Sequence, residues 1–340
     1  LTYLAGILPE LAKDERLEWV LLVSDKGREK LRVPEGVEVK VVPEMGFWQV
    51  HVWEQLVLPW KCWQWRVRGV LCNANYVPLL AWRPMPIVHS TPKAEELAVG
   101  WRMAVYWKVL RLLTTLSLWR APVAFSVARH VLKEYVGPRT AAKVRIVPSA
   151  VSVPAMEVAT DANLMVTVGD FYPQKDYPLL IEVFRRVRLR RPQARLMIIG
   201  RPVDAGVRDG VLRLVRELKL AEGITLPGAM EHGQLLKTLA KAAVYVSTSR
   251  AECFNIPVLE ALACGVPAVL PDFDFQREVA GDAALYVLDE GREALADGMA
   301  EVVVRVMEDK ALRDGLVAAG KKRAGLFTWA ATAAVMRAAV

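Results

Sequence analysis

The sequence predicts an α/β protein of doubly wound parallel sheets, and three observations carry that expectation. From Leu164 onward, short apolar runs alternate with helical stretches at the spacing of strand–helix units. A length of 340 residues suits two domains. The stretch 152–163 (S-V-P-A-M-E-V-A-T-D-A-N), small and polar with one proline, reads as the linker between them. The expected division is 1–151, the linker 152–163, a second domain over 164–327 and a terminal helix at 328–340.

In the first half, Leu17–Val23 is an apolar strand and Val37–Val42 alternates like a half-buried one. Trp48–Leu58 reads as a helix ending at Pro59. Gly69–Cys72 and Pro86–His89 are short buried strands, and Trp101–Trp119 is a long helix. Ala124–Val127 and Val144–Pro148 complete this half. The chain opens at Leu1 inside a helical stretch, so a first strand with its Gly-rich turn is expected upstream. In the second half, strands are expected at Leu164–Val168, Ala194–Ile199, Ile224–Leu226, Val244–Ser249, from Ala268, and at Ala284–Val287. Helices are expected at Tyr177–Arg191, Val207–Leu218, Gly233–Ala243, Arg292–Met307 and Lys310–Leu326.

Composition sets limits. At 54% hydrophobic and 24% charged, the chain is globular. Its four cysteines (Cys62, Cys72, Cys253, Cys264) form no C-x2-C, and only four histidines occur, so no metal site is expected. Reduced thiols fit a cytoplasmic protein. Charge interrupts every apolar run before it reaches spanning length. Residues 61–150 hold 14 Lys and Arg against 3 acids, with six of the eleven tryptophans (Trp63, Trp65, Trp82, Trp101, Trp107, Trp119). Bases among tryptophans suit the surface of an anionic membrane. They equally suit a polyanion, or a solvated basic surface over core tryptophans.

The stretch Ser247–Asp272 (S-T-S-R-A-E-C-F-N-I-P-V-L-E-A-L-A-C-G-V-P-A-V-L-P-D) organises the rest. It reads as strand, loop, short helix and strand, with Pro257 in the helix's first turn and Gly265 closing it. Glu252 falls in the loop and Glu260 on the first turn of the helix. Ligands of open α/β sheets bind at that edge, and helix N-termini there attract phosphate. One carboxylate then suits a polyol and the other a ribose, with the N–H groups of Phe254, Asn255 and Ile256 facing a diphosphate. Upstream, Gly169 allows close backbone approach and Lys175 neutralises phosphate. Gly200-Arg201 follows the next strand and lines the same pocket.

The string E-x-F-x-x-P-x-x-E-A-x-A-x-G-x-P, from Glu252 to Pro267, resembles the signature of retaining nucleotide-sugar glycosyltransferases of family 4. W-E-Q-L-V-L-P (53–59), P-I-V-H-S (86–90), F-S-V-A-R-H-V-L (125–132) and V-R-I-V-P-S-A-V (144–151) resemble pieces of its first domain. The resemblance implies the GT-B arrangement, two Rossmann-like domains facing across a cleft, with the last helix crossing back to the first. It implies transfer of a hexose from a GDP-, UDP- or ADP-linked sugar to a glycan or lipid-linked acceptor, with no metal or other cofactor. Glu252 would bind sugar hydroxyls near the reacting carbon and Glu260 the ribose. Lys175 would hold the diphosphate, Met230 would contact the base, and His89 would contact the transferred sugar. His51, His130 and His232 are read as structural.

Two departures stand out. The family pattern G-R-x4-K has Asp170 in place of its Arg, a carboxylate where phosphate is expected. Ser90 follows His89 where Asp is usual. Asp170 turns away, or Arg201 or Arg250 compensates, or the donor site is altered. The alternative reading is therefore a catalytically impaired nucleotide-sugar-binding protein. A paired-carboxylate glycosidase and an NAD-dependent oxidoreductase are disfavoured, the first by the phosphate-type turn and the second by the lack of G-x-G-x-x-G. No nucleic-acid partner is expected. The expected location is cytoplasmic, with peripheral contact on the inner face of a membrane.

Overall fold

The computed structural model describes residues 2–89, 101–133, 135, 137–156 and 158–339. Ser90 and the linker residue Glu157 lie outside the described residues. Contacts divide the chain into two compact units. One runs to Ala150 and takes in Phe327 onward; the other is Val151–Leu326.

The first unit contains α1 (Thr2–Leu11), β1 (Val20–Ser24), α2 (Asp25–Lys30), β2 (Glu38–Val42), α3 (Phe47–Leu56) and α4 (Leu58–Gln64). It continues through β3 (Val70–Cys72), β4 (Pro84–Val88), α5 (Trp101–Arg120), β5 (Ala124–Ser126), α6 (Arg129–Leu132), α7 (Pro138–Ala141) and β6 (Val144–Ile146). Strands β3-β4-β5-β6 form one parallel sheet in that order, and β1 pairs with β2 in a second. Pro59 does not end helical structure as expected. α3 stops at Leu56 and α4 begins at once, with Pro59 in its first turn, where a missing N–H leaves no bond unmade.

The second unit contains β7 (Asp161–Val168), α8 (Tyr177–Arg190), β8 (Arg195–Ile199), α9 (Ala205–Glu217), β9 (Ile224–Gly228), α10 (His232–Ala240) and β10 (Ala242–Val246). After these come α11 (Ile256–Ala263), β11 (Ala268–Pro271), α12 (Asp274–Ala280), β12 (Ala284–Val287), α13 (Arg292–Glu308) and α14 (Lys310–Ala324). Its six strands are all parallel in the order β12-β11-β10-β7-β8-β9. Strands covered on both faces read as continuous apolar runs, and β10 and β11 are buried along their whole length. Asp176, Asp204, Glu231 and Asp309 each accept a backbone N–H at the start of α8, α9, α10 and α14.

Two of the boundaries that differ from the sequence reading bear on the site. β7 starts at Asp161, inside the expected linker, because Asp161 pairs with Ala242 and its N–H bonds Lys241 O. β10 stops at Val246, so Ser247–Ser249 leave the strand and enter the loop that follows.

The last helix, α15 (Trp329–Arg337), belongs to the first unit. Gly6 of α1 makes room for it: a Cβ there would lie 2.1 Å from Trp329 Cε2. Thr332 Oγ1 donates to Pro148 O at 2.9 Å, and Arg337 Nη1 donates to Glu10 O at 2.6 Å. Tyr3 donates its hydroxyl to Val147 O at 2.9 Å and meets Trp329 edge-on.

Two glycines of the second unit have opposite expected responses. A Cβ at Gly200 would lie 1.9 Å from Gly169 O, a backbone atom that cannot rotate away, whereas a Cβ at Gly210 inside α9 meets nothing within 4 Å. Gly200→Ala should cost about 2–4 kcal/mol in urea unfolding and Gly210→Ala should add about 0.5–1 kcal/mol. Equal effects would contradict the close approach at Gly200.

Candidate functional site

The strand order of the second unit reverses between β7 and β10, and the candidate site lies at their C-terminal ends. Open parallel sheets leave a crevice there, because successive connections go to opposite faces. The turns after β7 and β8 meet backbone to backbone. Gly169 N–H donates to Ile199 O at 2.9 Å, and Phe171 N–H donates to Arg201 O at 2.9 Å. A Cβ at Gly169 would lie 2.8 Å from Lys175 Cε, so glycine there lets the lysine stem lie across the strand end.

Lys175 closes a 3-10 turn, Pro173–Lys175, before α8. Thr248 Oγ1 donates to the carbonyls of Lys175 (2.9 Å) and Asp176 (3.1 Å). Asp176 takes the left-handed conformation (φ 45°), caps α8, and pairs with Arg250 and Arg292. This framework delivers Lys175 Nζ to Glu252 Oε1 at 2.5 Å, and Ser249 Oγ donates to the same oxygen at 2.6 Å. Both side chains of the ion pair are largely buried, at 16% and 17% exposed. Sequence reading gave the lysine to phosphate and the glutamate to sugar; the fold joins them.

Asn255 precedes α11 in the left-handed conformation, φ 49° and ψ 58°, which asparagine tolerates. Its Nδ2 donates to Gln276 Oε1 at 2.9 Å. Gln276 is fully buried and its Nε2 has no partner. Phe254 is buried, and Ile256 opens the helix. Glu260 is the fifth residue of α11, which begins at Ile256, one residue earlier than expected. It is buried, which pushes its carboxyl above the usual range, a rise partly offset by His232. His232 Nε2 lies 2.8 Å from Glu260 Oε1. His232, read from the sequence as structural, thus stands in contact with a candidate site residue. Its signal was available: it stands just after the third strand of this unit, on the same sheet edge as the rest. Met230, half-buried in that loop, lies two residues before it.

Asp170 is held by Arg201, whose backbone N–H donates to Oδ1 at 2.8 Å and whose guanidinium forks onto both oxygens. Burial raises the Asp170 carboxyl, but Arg201's hydrogen bonds and charge, with Lys175's charge, outweigh it and leave it below the ordinary value. Arg201 is thus the base that answers Asp170. Arg250 is committed to Asp176 and Asp289.

In the first unit, His89 follows β4. Its N–H donates to Asn75 Oδ1 and its Nε2 faces Asn73 Oδ1, both at 2.7 Å. Burial lowers its pKa from 6.5 to about 4, so the ring is neutral at physiological pH, with Nε2 the donor and Nδ1 the acceptor. It lines a cavity of about 420 Å³ with Tyr3, Asn73, Asn75, Tyr76, Tyr106 and His51. Tyr76 donates to Glu54 Oε2 at 2.6 Å and meets His51 Nδ1 at 2.5 Å, so His51 also belongs to a polar network that the sequence did not single out. Among the described residues no group of three His, Cys, Asp or Glu is placed to hold a metal ion.

The sequence profile of the family described as "Glycosyl transferases group 1" matches residues 154–323. The chain is 29% identical over 180 residues to a D-inositol 3-phosphate glycosyltransferase of Frankia alni, covering 51% of this chain and 44% of that protein. It is 29% identical over 170 residues to a phosphatidyl-myo-inositol mannosyltransferase of Mycolicibacterium smegmatis, covering 48% and 41%. The matched stretch spans less than half of these relatives. Among solved structures, Anabaena Alr3699/HepE in complex with UDP and glucose superposes with a TM-score of 0.72 at 15% identity, over 98% of this chain and 94% of that one. WaaG, a glycosyltransferase involved in lipopolysaccharide biosynthesis, gives 0.69 at 14% over 98% and 93%. These likenesses show a GT-B fold.

The raised Glu260 carboxyl has a pH signature. Its native pKa lies above the unfolded value, so its contribution to stability is present in acid and is lost as pH rises through the native pKa. Glu260→Gln should melt about 1–3 °C above the wild type near pH 8, with the gap closing towards pH ~4, by calorimetry. A wild type more stable than the variant near pH 8 would contradict the burial account.

Proposed function

The chain belongs to the group 1 glycosyl transferases, and from that premise we propose that it moves a hexose from a nucleotide diphosphate sugar to a glycan or lipid-linked acceptor, with retention of anomeric configuration. The observation that carries this is the meeting of Lys175 with Glu252 at the sheet's switch point, one turn from the start of α11. The diphosphate lies against Lys175 and the N–H groups of 254–256, where the helix N-terminus adds positive potential. These groups supply the charge stabilisation, so the reading needs no metal ion. Glu260, oriented by His232, accepts from ribose hydroxyls. Met230 and Arg201 border the nucleotide. Glu252 accepts from sugar hydroxyls beside the reacting carbon. Lys175 Nζ and Ser249 Oγ both donate to its Oε1, which orients the carboxylate. The C–O bond to the diphosphate breaks with its electron pair on the phosphate oxygen. The acceptor hydroxyl oxygen bonds the same carbon, and its proton passes to the departing diphosphate.

His89 and the cavity around it take up sugar hydroxyls in the first unit: the amides, phenols and the His89 imidazole there match a polyol. The relatives named for inositol phosphate and phosphatidyl-inositol support a polyol or lipid-linked acceptor. The basic, tryptophan-rich composition of 61–150 supports peripheral contact with an anionic membrane on its cytoplasmic face. The impaired-site alternative rested on Asp170, and its neutralisation by Arg201 favours the active reading.

The test is transfer followed by NMR of the anomeric proton. The expected product keeps the donor's anomeric configuration, and Glu252→Ala lowers turnover at least ~1,000-fold with the melting point nearly unchanged. Full turnover by the variant, or an inverted product, would overturn the proposal.

A further inference from the structure

The long helix of the first unit is apolar on two opposite sides. One side packs inward through Leu110, Thr114, Ser117 and Leu118, which are buried. The other is exposed and carries Trp101, Val105, Val109, Leu112, Leu116 and Trp119. Their spacing (four, four, three, four, three) keeps all six on one stripe along about 27 Å of helix. Trp101 and Trp119, at the two ends, are 73% and 74% exposed, and Leu112 midway is 59% exposed. A helix this long need not leave such a stripe open: apolar surface of this extent on a soluble face marks a contact.

Charge identifies what the contact is. Residues 101–120 contain four bases, Arg102, Lys108, Arg111 and Arg120, and no acid. Helical spacing puts Lys108 and Arg111 on one flank of the stripe and Arg120 on the other. Two copies of this chain meeting stripe to stripe would bring like charges together, which disfavours a second copy as occupant. An anionic lipid surface satisfies both features, with tryptophans at headgroup level, aliphatic side chains below and bases against phosphate. The helix does not cross: no helix among the described residues is long and apolar enough to span a membrane.

We propose that α5 lies in the plane of an anionic membrane, inserting the stripe Trp101–Val105–Val109–Leu112–Leu116–Trp119, and that it is the element that brings this protein to a lipid-held acceptor. The proposal rests on the reading of a membrane-held acceptor and gives that contact its surface.

The experiment is cosedimentation of the full chain with vesicles of phosphatidylcholine alone or of equimolar phosphatidylcholine and phosphatidylglycerol. Wild type is expected on the anionic vesicles, with partition falling as salt rises. Trp101→Ser/Leu112→Ser/Trp119→Ser should lower that partition at least ~tenfold. Leu189→Ser, at a leucine of the second unit more exposed than Leu112, should leave it unchanged. Nucleotide-induced thermal shift of the triple variant, unchanged from wild type, would show that the fold and the donor site survive. Wild-type binding that the triple variant retains would overturn the assignment to α5 while leaving the membrane reading standing. No binding to anionic vesicles would overturn both, and a wild-type dimer abolished by the triple variant would give the stripe to a second copy.

Discussion

The ion pair between Lys175 and Glu252 is the constraint around which the second unit's site is arranged. Two opposite charges that are mostly withdrawn from water must be held at contact, because separating them there leaves each poorly solvated. The fold meets this demand with backbone. Gly169 lets the lysine stem cross the end of β7, Gly200 lets the neighbouring turn close against it, and Asp176 bends left-handed to start α8. Thr248, just beyond β10, fastens the lysine's turn to the loop that carries Glu252. Any ligand that takes either charge must replace what the other provides. A diphosphate sugar does so in one molecule, with anionic oxygens for the lysine and hydroxyls for the carboxylate.

Around that pair, each acidic group has an assigned base. Asp170 has Arg201, Asp176 has Arg250 and Arg292, and Glu260 has His232. The pairing explains how a carboxylate is tolerated at 170, where an arginine is usual in the family pattern. It also leaves Lys175 and the start of α11 as the groups that the proposed function assigns to phosphate. Gln276 adds a buried amide whose Nε2 is unmatched, beside the asparagine that opens α11.

Much of this was legible in the sequence. The strand–helix alternation from Leu164 announced all six strands of the second unit and every helix but α12, because parallel strands buried on both faces show themselves as unbroken apolar runs. Glu252 and Glu260 were found because their spacing fits one strand–loop–helix unit, and Lys175 because it follows the glycine that closes the first strand of the second unit. What escaped depended on contacts between distant loops. His232 meets Glu260 across 28 residues, and only the fold chooses Arg201 over Arg250 as the base that meets Asp170, across 31. No local pattern encodes such encounters. Pro59 misled because proline ends one helix and begins another with equal ease. The two-sided character of α5 was hidden for a related reason: apolar residues on both faces cancel the one-sided periodicity by which a surface helix is recognised.

The most direct test of the central claim is a thermal-shift titration of wild type and Lys175→Met with UDP, GDP and ADP and their hexose conjugates, without metal. Ligands that bind the native state raise the melting point by mass action. One nucleoside diphosphate series should raise the wild-type melting point by several degrees, about 2–4 °C per kcal/mol of binding linkage, and the shift should vanish in Lys175→Met. A full panel without effect on the wild type, or an equal shift in the lysine variant, would contradict the account.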